Sequence, residues 1–410
     1  MKWEFVRADQ YCNSVRDGTH DTPKPTETGY KLVTGKHIKA GQIDASTAYF
    51  ISEKDYNAIN ERSLVEQWDV LMSMIGTVGE SAIVKEAPCY AIKNIALFKC
   101  GGSEIKGRWL NYYLQSPVGQ GHMNGNQKGS SQQFLSLKQL RALPIPVPEE
   151  SFMQKAVQIL SAYDNLIENN QKQIMLLEEA AQRLYKEWFV DLRFPGYEAT
   201  PVVDGMPEGW ELCHLEDVIE FNPKVPLSKE RLKQSVPMSA LSTSSMTLDT
   251  EEFAATFSNS GSKFQNGDTL LARITPCLEN GKTAFVAGVE SDEGAVGSTE
   301  FIVMRSKGIN PYMVYLLARD DSFRQSAINS MTGSDGRQRA QADKLKALTY
   351  LKPTDQIMRL FAGYAEPIFL QIQKKNEQKI RLRQARDRLM PKLMSGEIEV
   401  KSQRHKGVIP

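Results

Sequence analysis

The feature that most constrains this chain is that it repeats itself at an offset of about 200 residues. Trp3-Glu4 falls on Trp210-Glu211 and Asp69-Val70-Leu71 on Asp268-Thr269-Leu270. Trp109-Leu110 with Tyr112 falls on Tyr312-Met313 with Tyr315, Gly129-Ser130 on Gly333-Ser334, Ala142-Leu143 on Ala347-Leu348, and Pro148 on Pro353. Any one of these pairs could arise by chance; their common order and near-constant spacing could not. A period this long is domain-sized, so the repeat predicts two related domains rather than a solenoid.

Each repeat has two parts. In 1–149 and 210–354, runs such as YKLVTGKHI, DVLMSMIG, SAIVKE, DTLLARI, KTAFVAGV and EFIVMRS alternate with turn residues, which is the pattern of short strands. A helix face follows in each, around RWLNYYLQSP and PYMVYLLARDD. The expectation is a mixed α/β (α+β) globule in each half. The second part differs. From Phe152 to Phe189 there is neither Gly nor Pro, and Met153, Val157, Leu160, Tyr163, Ile167, Ile174, Leu177, Ala181, Leu184 and Trp188 recur at spacings of a heptad seam. A helix over 150–193 of this kind is a rod of roughly 57 Å. Asn169-Asn170 interrupts the seam with polar side chains that can fix register. In 355–396 the theme returns after Pro367, with Ile368, Ile372, Ile380, Leu382, Leu389 and Leu393. Lys375, Lys379 and Arg386 fall where a strict heptad is apolar, and Pro367 predicts a break or kink near Tyr364–Pro367. The segment 194–209, FPGYEATPVVDGMPEGW with its flanking Trp210, is dense in Pro and Gly and reads as a linker that continues neither helix nor sheet; 397–410 is a tail.

A seam of that length needs a cover: the other long helix, a copy in a second chain, or a different protein. Residues 150–193 carry 5 basic and 7 acidic side chains and 355–396 carry 9 and 4, and this opposition favours pairing of the two helices. Tyr185, Trp188, Phe189 and Phe194 exceed what a two-helix seam requires, and fit either a docking surface or packing beneath a globular domain.

Composition bears on function mainly by exclusion. A net charge of +1, with 41% hydrophobic residues, is ordinary for a globular chain and does not mark a strongly basic nucleic-acid binder. No apolar run is long enough for a membrane span, no secretory signal is expected, and five scattered cysteines point to a reduced, cytoplasmic protein. There is no phosphate loop, no G-x-G-x-x-G turn, no H-E-x-x-H and no G-x-S-x-G elbow, so no catalytic residue and no metal site is predicted. Asn222-Pro223-Lys224-Val225 opens like the motif of amino-methyltransferases but lacks its second proline and aromatic, and reads as a turn.

The candidate binding residues lie in two loops at equivalent places of the repeat: Asn124, Asn126, Gln127, Lys128, Ser130, Ser131, Gln132 and Gln133 in the first, and Ser334, Asp335, Arg337, Gln338 and Arg339 in the second. Small residues admit a phosphate backbone closely, amide side chains can pair with adenine, and arginine can pair with guanine. A solvated surface loop has a similar composition, and that reading stays open here.

The layout, with the Trp-Glu starts, LPIPVPEESFMQKAVQIL (143–160), AAQRLYKEWFVDLRFPGYE (180–198) and RLMPKLMSGEIEV (388–400), resembles the specificity (S) subunit of type I restriction–modification systems. In the second half, TYLKPTDQIMRLF departs from the typical approach to the helix. The resemblance implies two target recognition domains, similar to that of an adenine-N6 methyltransferase of the TaqI type, joined by two long helices in an antiparallel coiled coil. The coiled coil would involve Val157, Leu160, Ile167, Ile174, Leu177, Leu184, Trp188, Phe189, Ile368, Ile372, Ile380, Leu382, Leu389 and Leu393. It implies double-stranded DNA as ligand, each domain reading one half of a split target. It also implies two methylation (M) subunits as partners, with restriction (R) subunits in addition where they exist. S-adenosylmethionine, ATP and Mg would then sit on those partners, with no cofactor on this chain. The alternative from another class is a non-catalytic scaffold that recruits proteins through its helices.

Overall fold

The computed structural model describes residues 3–39, 41–76, 78–124, 134–291, 293–334 and 336–399. The chain divides into two compact units, Met1–Leu166 with Leu382–Pro410, and Ile167–Arg381. Each therefore owns one α/β domain and one portion of each long helix.

In the first unit a four-stranded antiparallel sheet runs in the order Ser14–Asp17, Ile95–Lys99, Val70–Ser73, Ser81–Ile83. In the second the order is the same: Ile219–Phe221, Phe301–Ser306, Thr269–Ala272, Thr283–Phe285. The central strands are buried on both faces, which is why VLMS, IALFK and TLLA read as continuous apolar runs rather than alternating ones. Beside each lies a second sheet built around one parallel pair: three strands in the first domain, with Tyr30–Thr34 beside Tyr90–Lys93, and four in the second, with Lys233–Val236 beside Ala295–Gly297 and Ser262–Phe264 added at the edge.

Both domains close in the same way. Glu4–Arg7 pairs antiparallel with Pro144–Val147, and Glu211–His214 with Thr349–Lys352. The Ala8 N–H then donates to the Leu143 carbonyl at 2.8 Å, and the Leu215 N–H to the Leu348 carbonyl at 2.9 Å. The Ala-Leu match in the sequence repeat is thus a match of main-chain bonds.

The domains differ in one large element. Glu53–Ser63 is a helix in the first, capped by the Ser52 hydroxyl, which accepts from the Asp55 N–H. In the corresponding stretch of the second there is only the single turn Thr250–Glu252. The segment 194–209 also departs from expectation, because Val202–Val203 and Met206–Pro207 form a small hairpin. Asp204 and Gly205, both at positive φ, supply the tight two-residue turn that twisted strands need.

The first long helix spans Glu150–Tyr185 and ends in a π-type turn, Lys186–Val190. The second, Asp355–Met394, runs without interruption through Pro367, so the predicted break is not found. The proline removes one main-chain donor, and Gly363, four residues earlier, is exposed with open space where a side chain would stand. Burial of Phe361, Ala365, Phe369 and Ile372 on one face holds the helix across that point. No helix among the described residues is long and apolar enough to cross a membrane.

Candidate nucleic-acid interface

Both domains are framed by the same buried ion pair. Asp69 precedes the strand Val70–Ser73 and Asp268 precedes Thr269–Ala272; both are essentially inaccessible to solvent. The Asp69 carboxylate takes the Lys99 ammonium at 2.8 Å and the N–H groups of Glu66 and Cys100 at 2.8 and 3.0 Å. The Asp268 carboxylate takes the Arg305 guanidinium through two bonds of 2.7 Å and the Gln265 N–H at 2.8 Å. Lys99 and Arg305 occupy equivalent positions on the partner strand, and each carboxylate is saturated. These aspartates are consequently fixtures of the fold, with no spare oxygen for chemistry.

The candidate loops return to this framework at matching points. In the first domain Phe134 bridges Ile75, and the Leu135 N–H donates to the Met74 carbonyl at 3.2 Å. In the second, Arg339 bridges Ile274, and the Ala340 N–H donates to the Arg273 carbonyl at 2.8 Å. The equivalence of the two loops read from sequence is therefore present in their anchoring. Asn126, Gln127, Lys128, Ser130, Ser131, Gln132, Gln133 and Asp335 lie outside the described residues, as does the side chain of Asn124, whose backbone ends the helix Pro117–Asn124.

The second loop is a hairpin. Thr332 and Arg339 exchange main-chain bonds of 3.1 and 2.9 Å, and the Arg337 N–H donates to the Ser334 carbonyl at 3.0 Å. Gly333 has φ 127°, and a Cβ there would sit 3.0 Å from the Arg337 carbonyl oxygen, so the turn requires glycine. Arg339 is not available to a ligand in this arrangement. Its guanidinium grips the Glu300 carboxylate at 2.8–3.0 Å and also donates to the Arg337 carbonyl. The guanidinium holds the Glu300 carboxyl below its usual range. Gln338 is half-buried, and its carbonyl accepts from the Thr275 N–H at 3.0 Å. Ser334 and Arg337 are the candidates whose side chains face solvent.

A second group was not singled out from sequence. An open cleft of about 700 Å³ lies where the turn after Ile219–Phe221 meets the strand Ser262–Phe264, with Lys224, Lys263 and Arg273 on its walls and Phe301 at its floor. Asn222 shapes the rim: at φ 52°, its N–H donates to the Val303 carbonyl at 2.7 Å and its Oδ1 accepts from the Val303 N–H at 3.0 Å. The segment Asn222-Pro223-Lys224-Val225, read as a turn, bends at Asn222, and it carries one of the three cations. Nothing in the sequence joins positions 224, 263 and 273; only the fold does.

The helix residues fall into two groups, one per unit. In the first unit Val157 and Leu160 share a core with Leu393, Met390 and Met394, with Leu389 partly buried against it. Arg386 pairs with Asp164 at 2.7 Å, and Tyr112 donates to the other oxygen of that carboxylate. In the second unit Ile174, Ala181 and Trp188 share a core with Phe361, Ala365, Phe369 and Ile372, with Leu177, Leu184, Phe189 and Ile368 packed against it. The Phe361 ring lies 5.7 Å from Trp188 and 4.8 Å from Phe189. Lys379 donates to Gln171 at 2.9 Å. Ile167, Ile380 and Leu382 are half-buried. Two of the three cations that broke the heptad, Lys379 and Arg386, are therefore matched by polar partners, and Asn170 is buried in the seam. Residues before Pro367 that the sequence reading left out, Ile357, Met358, Phe361 and Ala365, carry much of the second helix's burial.

Glu178 ties the first helix to the second domain, accepting from Ser245 Oγ at 2.9 Å and the Met246 N–H at 2.7 Å. Burial pushes its carboxyl up from the ordinary value. Among the described residues no group of three or more His, Cys, Asp or Glu side chains is placed to hold a metal ion.

Residues 1–179 match the family model of the type I restriction modification DNA specificity domain. The chain is 35% identical over 140 residues to the type I restriction enzyme EcoAI specificity subunit of Escherichia coli, covering 33% of this chain but only 23% of that protein. It is 24% identical over 325 residues to the MjaIX specificity subunit of Methanocaldococcus jannaschii, covering 72% of this chain and 70% of that one. The crystal structure of a type I restriction-modification S subunit from M. genitalium superposes with a TM-score of 0.55 at 13% identity, over 96% of both chains, a likeness of fold.

Proposed function

From the match of residues 1–179 to the type I restriction modification DNA specificity domain, and the likeness to specificity subunits over most of the chain, we propose that it is the sequence-reading subunit of such a system and performs no bond chemistry itself. Each α/β domain reads one half of a divided double-stranded DNA target. The long helices set the unread gap and dock the methylation subunits, two per chain. S-adenosylmethionine, and where restriction subunits join, ATP and Mg, are bound by those partners. The chain acts in the cytoplasm, where such a complex meets DNA.

The observation that carries this reading is the duplication of a framework with its loop. Two domains with one strand order, each closed by its first and last strands, place Phe134 and Arg339 at corresponding edges beside the central sheet. Duplication suits a divided target. A half-site of a few base pairs discriminates poorly, at about 1–3 kcal/mol per mismatch. A second reader at fixed distance makes its own binding intramolecular and multiplies the selectivity. Continuous helices keep that distance better than a flexible tether would.

The test is to produce the full chain together with the methyltransferase from its own operon and to map methylated adenines in the host genome. A motif of two specified blocks separated by a constant unspecified gap is the expected result. A single uninterrupted motif, or methylation whose pattern does not change when this chain is removed, would overturn the reading.

A further inference from the structure

We propose that the cleft of the second domain grips a DNA phosphodiester backbone through Lys224, Lys263 and Arg273, and that the first domain has no matching grip at that edge. The inference rests on the DNA-reading role proposed above and adds to it where the electrostatic hold resides.

Three observations converge on it. First, among the described residues none of the three cations has an ion pair or a side-chain hydrogen bond, although all three border one cleft. Cations gathered around a concavity without close ion pairs repel one another and are stabilised by an anion. Second, Glu300, the acid that Arg273 feels electrostatically, has both oxygens hydrogen-bonded by Arg339 and offers Arg273 no direct bond. That pair also fixes the base of the hairpin bearing Arg337, so the cleft adjoins the loop that offers a base-reading arginine; Arg273 and Ile274 are the residues on which the hairpin is bonded. Third, the corresponding edge of the first domain is arranged differently. Met74 stands where Arg273 stands, and Arg62 and His20 both turn onto Asp17 at 3.0 Å. Lys93 remains there, bonded to the Thr22 hydroxyl. A phosphodiester fits the second edge: it is a diffuse anion that several spaced cations bind without base recognition.

The experiment follows binding of the full chain to a fluorescent duplex of random sequence by anisotropy, across about 50–200 mM salt. Each phosphate contact removed lowers the slope of log affinity against log salt by about 0.9, so the triple variant Lys224→Gln/Lys263→Gln/Arg273→Gln should lose nearly three. Lys224→Gln alone, at an exposed position without contacts, should lose its own share and leaves no question of misfolding. Arg273→Lys should keep the slope, and Arg62→Gln/Lys93→Gln should lower it by no more than about one. An unchanged slope in the triple variant, with the parent still binding in a salt-dependent way, overturns the cleft alone. An equal loss in the first-domain variant overturns the asymmetry. A parent chain that binds no duplex at any salt strikes instead at the DNA-reading role itself.

Discussion

The first domain holds its buried aspartate with a lysine that it shares with Glu66, whereas the second uses an arginine committed through two parallel bonds. The first fills the flank of its sheet with the helix Glu53–Ser63, while the second leaves an open cleft with three unpaired cations beside a hairpin. Strand order in the main sheet, closing ladder and loop anchorage are the same in both. The contrast separates what the fold demands, namely a saturated buried aspartate at the head of the central strand, from what is free to drift, namely the character of the surrounding surface.

One of the largest expected effects tests the demanded part. Asp268→Asn leaves the part-buried Arg305 guanidinium without its bidentate counter-ion and should cost about 3 kcal/mol in unfolding of the full chain by urea. Asp69→Asn should cost less, because Lys99 retains Glu66. Equal losses would mean the two frames are energetically alike despite their different partners.

Comparable in size is the contrast between the two helix cores. Phe361→Ala removes an aromatic that touches Tyr185, Trp188 and Phe189, and should destabilise by about 3–5 kcal/mol. Leu393→Ala, beside Val157 and Leu160 in the core of the first unit, should cost about 2–5 kcal/mol, and differential scanning calorimetry can rank the two. A milder loss for Phe361 would show that its neighbours collapse into the space.

Arg337→Ala addresses the drifting part. It should leave the thermal midpoint unchanged and weaken one half-site by about 1–3 kcal/mol while sparing the other, read by competition between duplexes altered in a single half. Equal loss at both halves would remove Arg337 from base reading.

The smallest effect concerns Glu178. Its carboxyl is raised above 4.5 by burial, so the folded chain holds the proton more tightly than the unfolded chain does. The contribution of this group to stability is full below about 4.5 and falls as pH rises through the window up to its folded value. Glu178→Gln keeps an acceptor for Ser245 and Met246 and removes that slope. Unfolding free energies across mildly acid pH should therefore run flatter in the variant; an identical slope would assign the pH response elsewhere.

Much of the architecture was legible because repetition doubled the signal. Ala142-Leu143 and Ala347-Leu348 look unremarkable singly, yet their alignment marks the carbonyls that hold Ala8 and Leu215. The long helices were legible from period and from the absence of Gly and Pro. The start of the second seam was not, because Pro367 reads as a break, whereas the buried face of Phe361, Ala365, Phe369 and Ile372 carries the helix across it. The helix Glu53–Ser63 was hidden by its polarity, its one local sign being the cap at Ser52 with Asp55. Loop positions were found and their roles were not. Composition cannot distinguish Arg339, bound to a carboxylate 39 residues away, from Arg337, which faces solvent. The cleft cations are far apart in sequence, and only tertiary contacts collect them.

The ladders that close each domain have a consequence for how such a molecule can change. When first and last strands lie side by side, a polypeptide enters and leaves a reading head through one doorway about 4.8 Å wide. Everything beyond that threshold can lengthen, shorten or be rewritten without shifting the mount on which the head sits. A head of this kind is free to acquire new tastes while its stem keeps the same dimensions, and the low identity between these two halves is what such freedom leaves behind.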